Sequence, residues 1–159
     1  MIIKISCAAA IILSCSYIGM KLSNSLSLRV RRLTEVLSAI GQIESCVSTV
    51  RMPLAEIYQN LSQTKGPVGE FFSKVKPGLN WKKHIDILTG LTPQDKTLIL
   101  NLSEKMGSFE LQRQLDELGL AKKLLTAALS QARTDMAENS KVYRAMSFFT
   151  GVVIAILLI

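Results

Sequence analysis

The sequence has few of the residues on which most active sites and metal sites depend. It contains one histidine, three cysteines, and only 12 acidic residues among 159. No glycine-rich phosphate loop, HExxH motif or nucleophile elbow occurs. Cys7, Cys15 and Cys46 lack the spacing of a metal site, and their odd number without close pairing argues against a disulfide framework. The sequence therefore predicts a non-enzymatic protein without cofactor, metal or small-molecule substrate.

The single histidine supports a rival hypothesis, a small membrane-bound hydrolase with His84 in its site. Asp86 follows two residues later. Residues at that spacing in a helix face different directions, so the two side chains make a poor catalytic pair. We therefore interpret His84 as a surface residue and keep the hydrolase as an alternative.

Aromatic residues, proline and glycine are also scarce. Aromatics make up 6% of the chain, with four prolines and nine glycines, whereas 48% of the residues are hydrophobic. This composition is typical of a helical protein with membrane segments, and it argues against a β-sandwich or a disordered chain.

The net charge of +7 is confined to two parts of the chain. The segment 33–140 carries twelve basic and twelve acidic residues. The surplus consists of Lys4, Lys21, Arg29, Arg31, Arg32, Lys141 and Arg144. A nucleic-acid-binding protein concentrates its surplus charge on the folded body, whereas these residues lie where a bilayer surface is expected. Nucleic acid is therefore excluded as the expected partner.

The N-terminal residues 5–20 carry no charge, and with Ile2, Ile3 and a snorkelling Lys4 they approach the length of a membrane span. We predict an uncleaved transmembrane segment over residues 1–21. A cleaved signal peptide is one alternative, although its basic residues follow the apolar run instead of preceding it. A lipid-anchored scaffold module is another, because the residues ending at Cys15 loosely resemble a lipobox.

The last fifteen residues, 145–159, are also uncharged. This length is short for a span, but a thin or locally deformed bilayer accommodates it. We predict a second transmembrane segment here. Because the basic flanks of both segments border the middle of the chain, the positive-inside rule places residues 22–144 in the cytoplasm.

Periodic apolar positions and chain-breaking residues divide this middle segment into helices. Helices are predicted over about 28–49, from Pro53, from Gly66-Pro67 to Pro77-Gly78, from the capping residue Asn80, from Thr92 to Gly107, and from Ser108 into the C-terminal run. The first buries Leu33, Val36, Leu37, Ile40, Ile43 and Val47; the fifth buries Leu98, Leu102 and Met106. The predicted fold is all-α, a helical bundle of about six helices between two terminal membrane segments.

Short motifs recur in a recognisable order along nearly the whole chain. They include Tyr17-Ile18-Gly19, Ile43-Glu44, Pro53-Leu54-Ala55-Glu56, Pro67-Val68, Phe71-Phe72, Trp81, Leu91 through Asp95, Asn139 through Arg144, and Gly151. In this order they resemble the stage III sporulation AB protein family of endospore-forming bacteria. No single motif is specific, and their order carries the resemblance.

The resemblance implies a role in the complex that joins the mother cell to the engulfed forespore. Members of the family look like the inner-membrane platform proteins of type II secretion, whose cytoplasmic helical domains meet a secretion ATPase. The implied partners are that ATPase and membrane channel components. The implied location is the mother-cell membrane facing the forespore.

The resemblance carries over three residues as candidates for partner contact: Glu44, Pro53 and Leu54. Glu44 lies near the apolar stripe of its predicted helix, and an alternative makes it an edge residue paired with a nearby base. Pro53 also has a structural reason to be where it is, because proline suits the first turn of a helix.

Overall fold

The computed structural model describes residues 2–77, 79–106 and 111–158. Its α-helices are α1 (Ile2–Ser45), α2 (Leu54–Ser62), α3 (Pro67–Lys74), α4 (Trp81–His84), α5 (Pro93–Lys105) and α6 (Leu111–Leu158). A π-helix (Cys46–Val50) follows α1, and a 3₁₀-helix (Ile85–Ile87) follows α4. The β-structure within these ranges is one isolated bridge between Lys76 and Leu79. The all-α prediction with six helices is confirmed.

The chain folds into two compact units. The first unit combines the residues up to Val30 with those from Gln131 onward, and the second comprises Arg31–Ser130. The boundaries predicted after residues 21 and 144 separate membrane segments from a cytoplasmic domain, and the division into two compact units does not test them. Those boundaries stay predictions.

In the second unit, an aromatic cluster packs the short helices together. The Trp81 ring lies edge-on to Phe71 at 5.3 Å between centroids and edge-on to Phe72 at 6.0 Å. Tyr58 brings α2 into the cluster, 6.1 Å from Trp81. The indole Nε1 of Trp81 donates a 3.1 Å hydrogen bond to the Lys76 carbonyl. Edge-to-face pairs of this kind each add about 0.5–1.5 kcal/mol beyond the burial of their area.

The long helices supply the rest of this core. The predicted apolar face of α1 is confirmed except at Leu37, which is half-buried. Its buried members are Leu33, Val36, Ile40, Ile43 and Val47, and α6 contributes Leu118, Ala121, Leu125 and Leu129. In α5, Leu102 is buried and Leu98 only half-buried, because Ile99 and Ser103 take the inward positions.

Several predicted helix boundaries need correction. α1 begins at Ile2 and continues through the region where a separate helix was predicted to start near Leu28. Pro53 precedes α2 instead of lying in its first turn. Asn80 occupies the position before α4 with a positive φ of 64°, and its side chain makes no capping hydrogen bond, so the predicted cap is wrong.

The predicted start of α5 is confirmed as a capping box. The Thr92 hydroxyl accepts a 3.2 Å hydrogen bond from the Asp95 N–H, and the Asp95 carboxylate accepts a 3.0 Å hydrogen bond from the Thr92 N–H. These bonds satisfy two N–H groups that a helix start leaves unpaired. The predicted end at Gly107 and the next start at Ser108 lie outside the described residues.

One of the basic residues after the first apolar run, Arg32, has an environment that differs from the expected bilayer surface. Arg32 is only 4% exposed, and its Nε donates a 3.0 Å hydrogen bond to the Thr89 carbonyl. Its guanidinium also pairs with Glu35, which accepts a 3.0 Å hydrogen bond from Arg31 as well. Arg32 is therefore a core residue of the second unit, which corrects its expected place at a membrane surface.

In the first unit, several contacts between the start of α1 and the end of α6 involve small or polar residues. A Cβ added to Gly19 would lie 2.6 Å from the Cβ of Ser147, so only glycine fits there. The hydroxyl oxygens of Ser23 and Ser140 lie 2.9 Å apart, and Arg29 pairs with Asp135 at 3.3 Å. Small residues of this kind allow two helices to approach closely.

Among the residues whose side chains the structure describes, no helix combines the length and the apolar character that crossing a membrane requires. The side chains of residues 1–9, 12 and 157–159, which belong to the predicted membrane segments, lie outside that part of the chain. The two terminal membrane segments stay predictions.

Two glycine substitutions test the packing of the second unit. A Cβ on Gly69 in α3 would lie 1.7 Å from the Thr64 carbonyl oxygen. We expect Gly69→Ala to lower the free energy of unfolding by about 1–3 kcal/mol, as overpacking typically does. Gly119 has no atom within 4 Å of its added Cβ, so Gly119→Ala should raise it by up to about 1 kcal/mol. Urea denaturation of the purified chain measures both. An unchanged midpoint for Gly69→Ala would contradict the packing of α3.

Candidate partner-binding site

The predicted contact residues Pro53 and Leu54 lie in the turn between α1 and α2. We call residues 46–56 the α1–α2 turn; it includes the π-helix, three non-helical residues and the start of α2. The Pro53 carbonyl accepts hydrogen bonds from Glu56 N–H at 3.0 Å and Ile57 N–H at 3.2 Å, which begins α2. Pro53 is exposed and Leu54 is half-buried, so both are accessible on the surface of the second unit.

The backbone of this turn is unusual at two points. π-helices are rare and are frequently found at functional sites. Arg51, which ends the π-helix, has the left-handed conformation with φ of 51° and ψ of 35°. The N–H groups of Arg51 and Met52 both donate to the Cys46 carbonyl, the latter at 3.3 Å. Glycine is the usual residue at such a helix end, because a side chain there costs about 1–2 kcal/mol.

The Arg51 side chain is exposed. Within the described ranges no carboxylate lies within ion-pair distance of its guanidinium. The arginines at positions 29, 31 and 32 each pair with an acidic residue, whereas the exposed Arg133 resembles Arg51 in having no carboxylate within ion-pair distance among the described residues. The turn therefore presents an unpaired guanidinium, five potential donors in a planar fork that suits a carboxylate.

Glu44, the third predicted contact, lies about two turns upstream of Arg51 and has a partner within the chain. Its Oε2 accepts a 2.8 Å hydrogen bond from the Lys122 ammonium, which links α1 to α6 in the second unit. The side chains are 31% and 48% exposed, so the pair contributes less than about 1 kcal/mol. This arrangement agrees with the alternative of an edge residue paired with a nearby base. Partner contact by Glu44 stays a prediction.

Sequence reasoning missed Arg51. Its side chain belongs to no motif, and its conformation depends on where α1 ends. The one available signal was the absence of glycine after the apolar stripe of α1, where a helix end was predicted near Thr49. Met52, next to Arg51, is half-buried, and its Sδ accepts a 3.8 Å hydrogen bond from the side-chain amide nitrogen of Asn60.

The residues of the rival hydrolase hypothesis lie elsewhere in the second unit. His84 is the last residue of α4 and is half-buried. Asp86 does not serve as a free carboxylate beside it, because its Oδ1 accepts a 2.6 Å hydrogen bond from the Lys96 ammonium. Among the side chains that the structure describes, no group of three or more His, Cys, Asp or Glu residues could hold a metal ion.

Comparison with known protein families gives a match over nearly the whole chain. The model of the family described as stage III sporulation protein AB matches residues 4–159. No curated protein and no solved structure matches the chain.

Replacing Arg51 by glycine tests the strain at the turn. Because glycine adopts the left-handed conformation without a steric penalty, we expect Arg51→Gly to raise the free energy of unfolding by about 1 kcal/mol. Asn80→Gly is the matched control at the other positive-φ position, and its gain should be smaller because asparagine tolerates this region. Urea denaturation compares the two. A loss of stability in Arg51→Gly would show that the arginine side chain stabilises the turn, contrary to this account.

Proposed function

Since the chain belongs to the stage III sporulation protein AB family, we propose that it is a non-enzymatic membrane platform of endospore formation that docks a secretion ATPase. The ATPase binds the second unit from the cytoplasm, and channel components meet the chain at the membrane. The platform lies in the mother-cell membrane that faces the forespore.

One observation supports the docking role most strongly: the α1–α2 turn presents an unpaired Arg51 guanidinium on a strained backbone. A strained residue persists only where the surrounding structure holds it in place, and such residues cluster at functional sites. Arginine is among the residues enriched at the energetically dominant positions of protein interfaces. Pro53 and Leu54, the predicted contacts, lie in the same turn, so the three residues form one accessible patch for the ATPase.

The exposed apolar side chains near both chain ends support the membrane part of the proposal. Leu13, Ile18, Phe149 and Ile156 are each more than half exposed. Soluble proteins rarely expose large apolar side chains in such numbers, and patches of this kind mark contact with lipid or with another protein. This exposure supports the proposal that the predicted segments 1–21 and 145–159 lie in the membrane.

Charge reversal at the turn tests the docking role. We expect the full-length chain, purified in detergent, to bind the ATPase of the sporulation complex, and Arg51→Glu to weaken binding at least about tenfold, because a hydrogen-bonded charge pair at an interface is replaced by repulsion. Biolayer interferometry with the immobilised platform measures the affinity.

Lys82→Glu is the matched control, since it changes the net charge equally at another exposed position of the second unit. Its affinity should stay within twofold of the unmodified chain. Absence of binding by the unmodified chain would reject the platform proposal. If both variants weakened ATPase binding equally, the loss would be due to the overall charge of the chain and not to Arg51 in particular.

A further inference from the structure

A groove in the second unit separates α2 from the end of α3. Its volume is about 470 Å³. One side consists of residues at helical spacing on α2, and the other of the chain from the last turn of α3 to Pro77. The lining residues are Ala55, Tyr58, Gln59, Ser62, Phe72, Ser73, Val75, Lys76 and Pro77. None of them is acidic, so the groove has no negative charge of its own.

The hydroxyl of Tyr58 lacks a partner although it is buried. The residue is 3% exposed, and no hydrogen-bond partner for its Oη exists in the described part of the chain. The ring is held edge-on to Phe72 at 5.1 Å, so the hydroxyl has little freedom to find another position. Buried polar groups are nearly always hydrogen-bonded, and each exception calls for an explanation. Burial also raises the pKa of this phenol, which keeps it protonated and able to donate.

Two more donors of the groove are unused. The Lys76 side chain is exposed, and no described carboxylate lies within ion-pair distance of its ammonium. The exposed Gln59 side-chain amide also makes no hydrogen bond to the described residues. In contrast, the hydroxyls of Ser62 and Ser73 each donate 2.7 Å hydrogen bonds to backbone carbonyls. The groove therefore offers unused donors and a positive charge, and none of its lining residues carries a carboxylate.

We propose that this groove binds an acidic segment of a partner protein, whose carboxylate accepts the Tyr58 hydroxyl and pairs with the Lys76 ammonium. The inference rests on the proposed function in that the second unit holds a partner. The groove includes none of Arg51, Pro53 and Leu54, although its lining residue Ala55 belongs to the α1–α2 turn, so the proposal gives the chemistry of a neighbouring second contact. The hydroxyl is closed to solvent in the unbound chain, so binding requires side chains of the groove to rearrange, a change that interfaces commonly make.

A probe that does not involve the ATPase tests this proposal separately from the platform role. Fluorescence anisotropy follows binding of a labelled ten-residue glutamate peptide to the full-length chain at low ionic strength, with a ten-residue glutamine peptide as the uncharged comparison. We expect the glutamate peptide alone to bind. Tyr58→Phe should weaken it by about tenfold, since it removes a hydrogen bond to a charged group. Lys76→Glu should weaken it at least as much.

Matched variants keep the result specific. Tyr143→Phe removes a hydroxyl from an exposed tyrosine, and Lys82→Glu makes the same charge change elsewhere; both should bind within twofold of the unmodified chain. The melting temperature of Tyr58→Phe should not fall, because the lost hydroxyl had no partner. This separates loss of binding from loss of fold.

Three results would overturn the proposal. The glutamate peptide fails to bind, or it binds Tyr58→Phe as tightly as the unmodified chain, or millimolar inorganic phosphate displaces it completely. The last result would identify a site for small anions instead of an acidic protein segment. Failure of the ATPase to bind in the separate experiment would reject the platform role and leave the peptide result standing.

Discussion

The contact of Trp81 with the aromatic rings of α2 and α3 is the interaction on which the second unit depends. The helices α2, α3 and α4 have nine, eight and four residues. Isolated helices of that length are marginal in water, so tertiary packing must stabilise them. Trp81 supplies this packing through the rings of Phe71, Phe72 and Tyr58, and its indole N–H bonds the chain that follows α3.

Arg32 provides a second constraint, of an electrostatic kind. A buried guanidinium is costly to desolvate, and here the cost is offset by Glu35 and the Thr89 carbonyl. These contacts fix the segment before α5 against α1. They also change the interpretation of the basic residues that follow the apolar stretch of α1. In the sequence Arg32 resembles a residue that flanks a membrane segment, but its side chain is buried in the core of the second unit. Arg51 differs from Arg32 in having no described acidic partner and in its left-handed backbone, and the proposed partner contact rests on these two features together.

Sequence reasoning succeeded where local chemistry decides the structure. The break at Gly66-Pro67, the capping box at Thr92 and the apolar stripe of α1 each depend on residues within a few positions of one another. It failed where distant residues meet. Thr89 lies 57 positions from Arg32, and Lys122 lies 78 from Glu44. The orphaned hydroxyl of Tyr58 and the left-handed Arg51 likewise depend on packing and on the exact end of a helix. The order of motifs predicted the family, while the site residue Arg51 required the structure.

Site-specific photocrosslinking in sporulating cells tests most directly whether the α1–α2 turn meets the ATPase. A photoreactive amino acid replaces Arg51 in one strain and the exposed Gln94, at the start of α5, in another. The account predicts a crosslink to the secretion ATPase from position 51 and none from position 94. A crosslink from position 94 alone, or none from either, would contradict it.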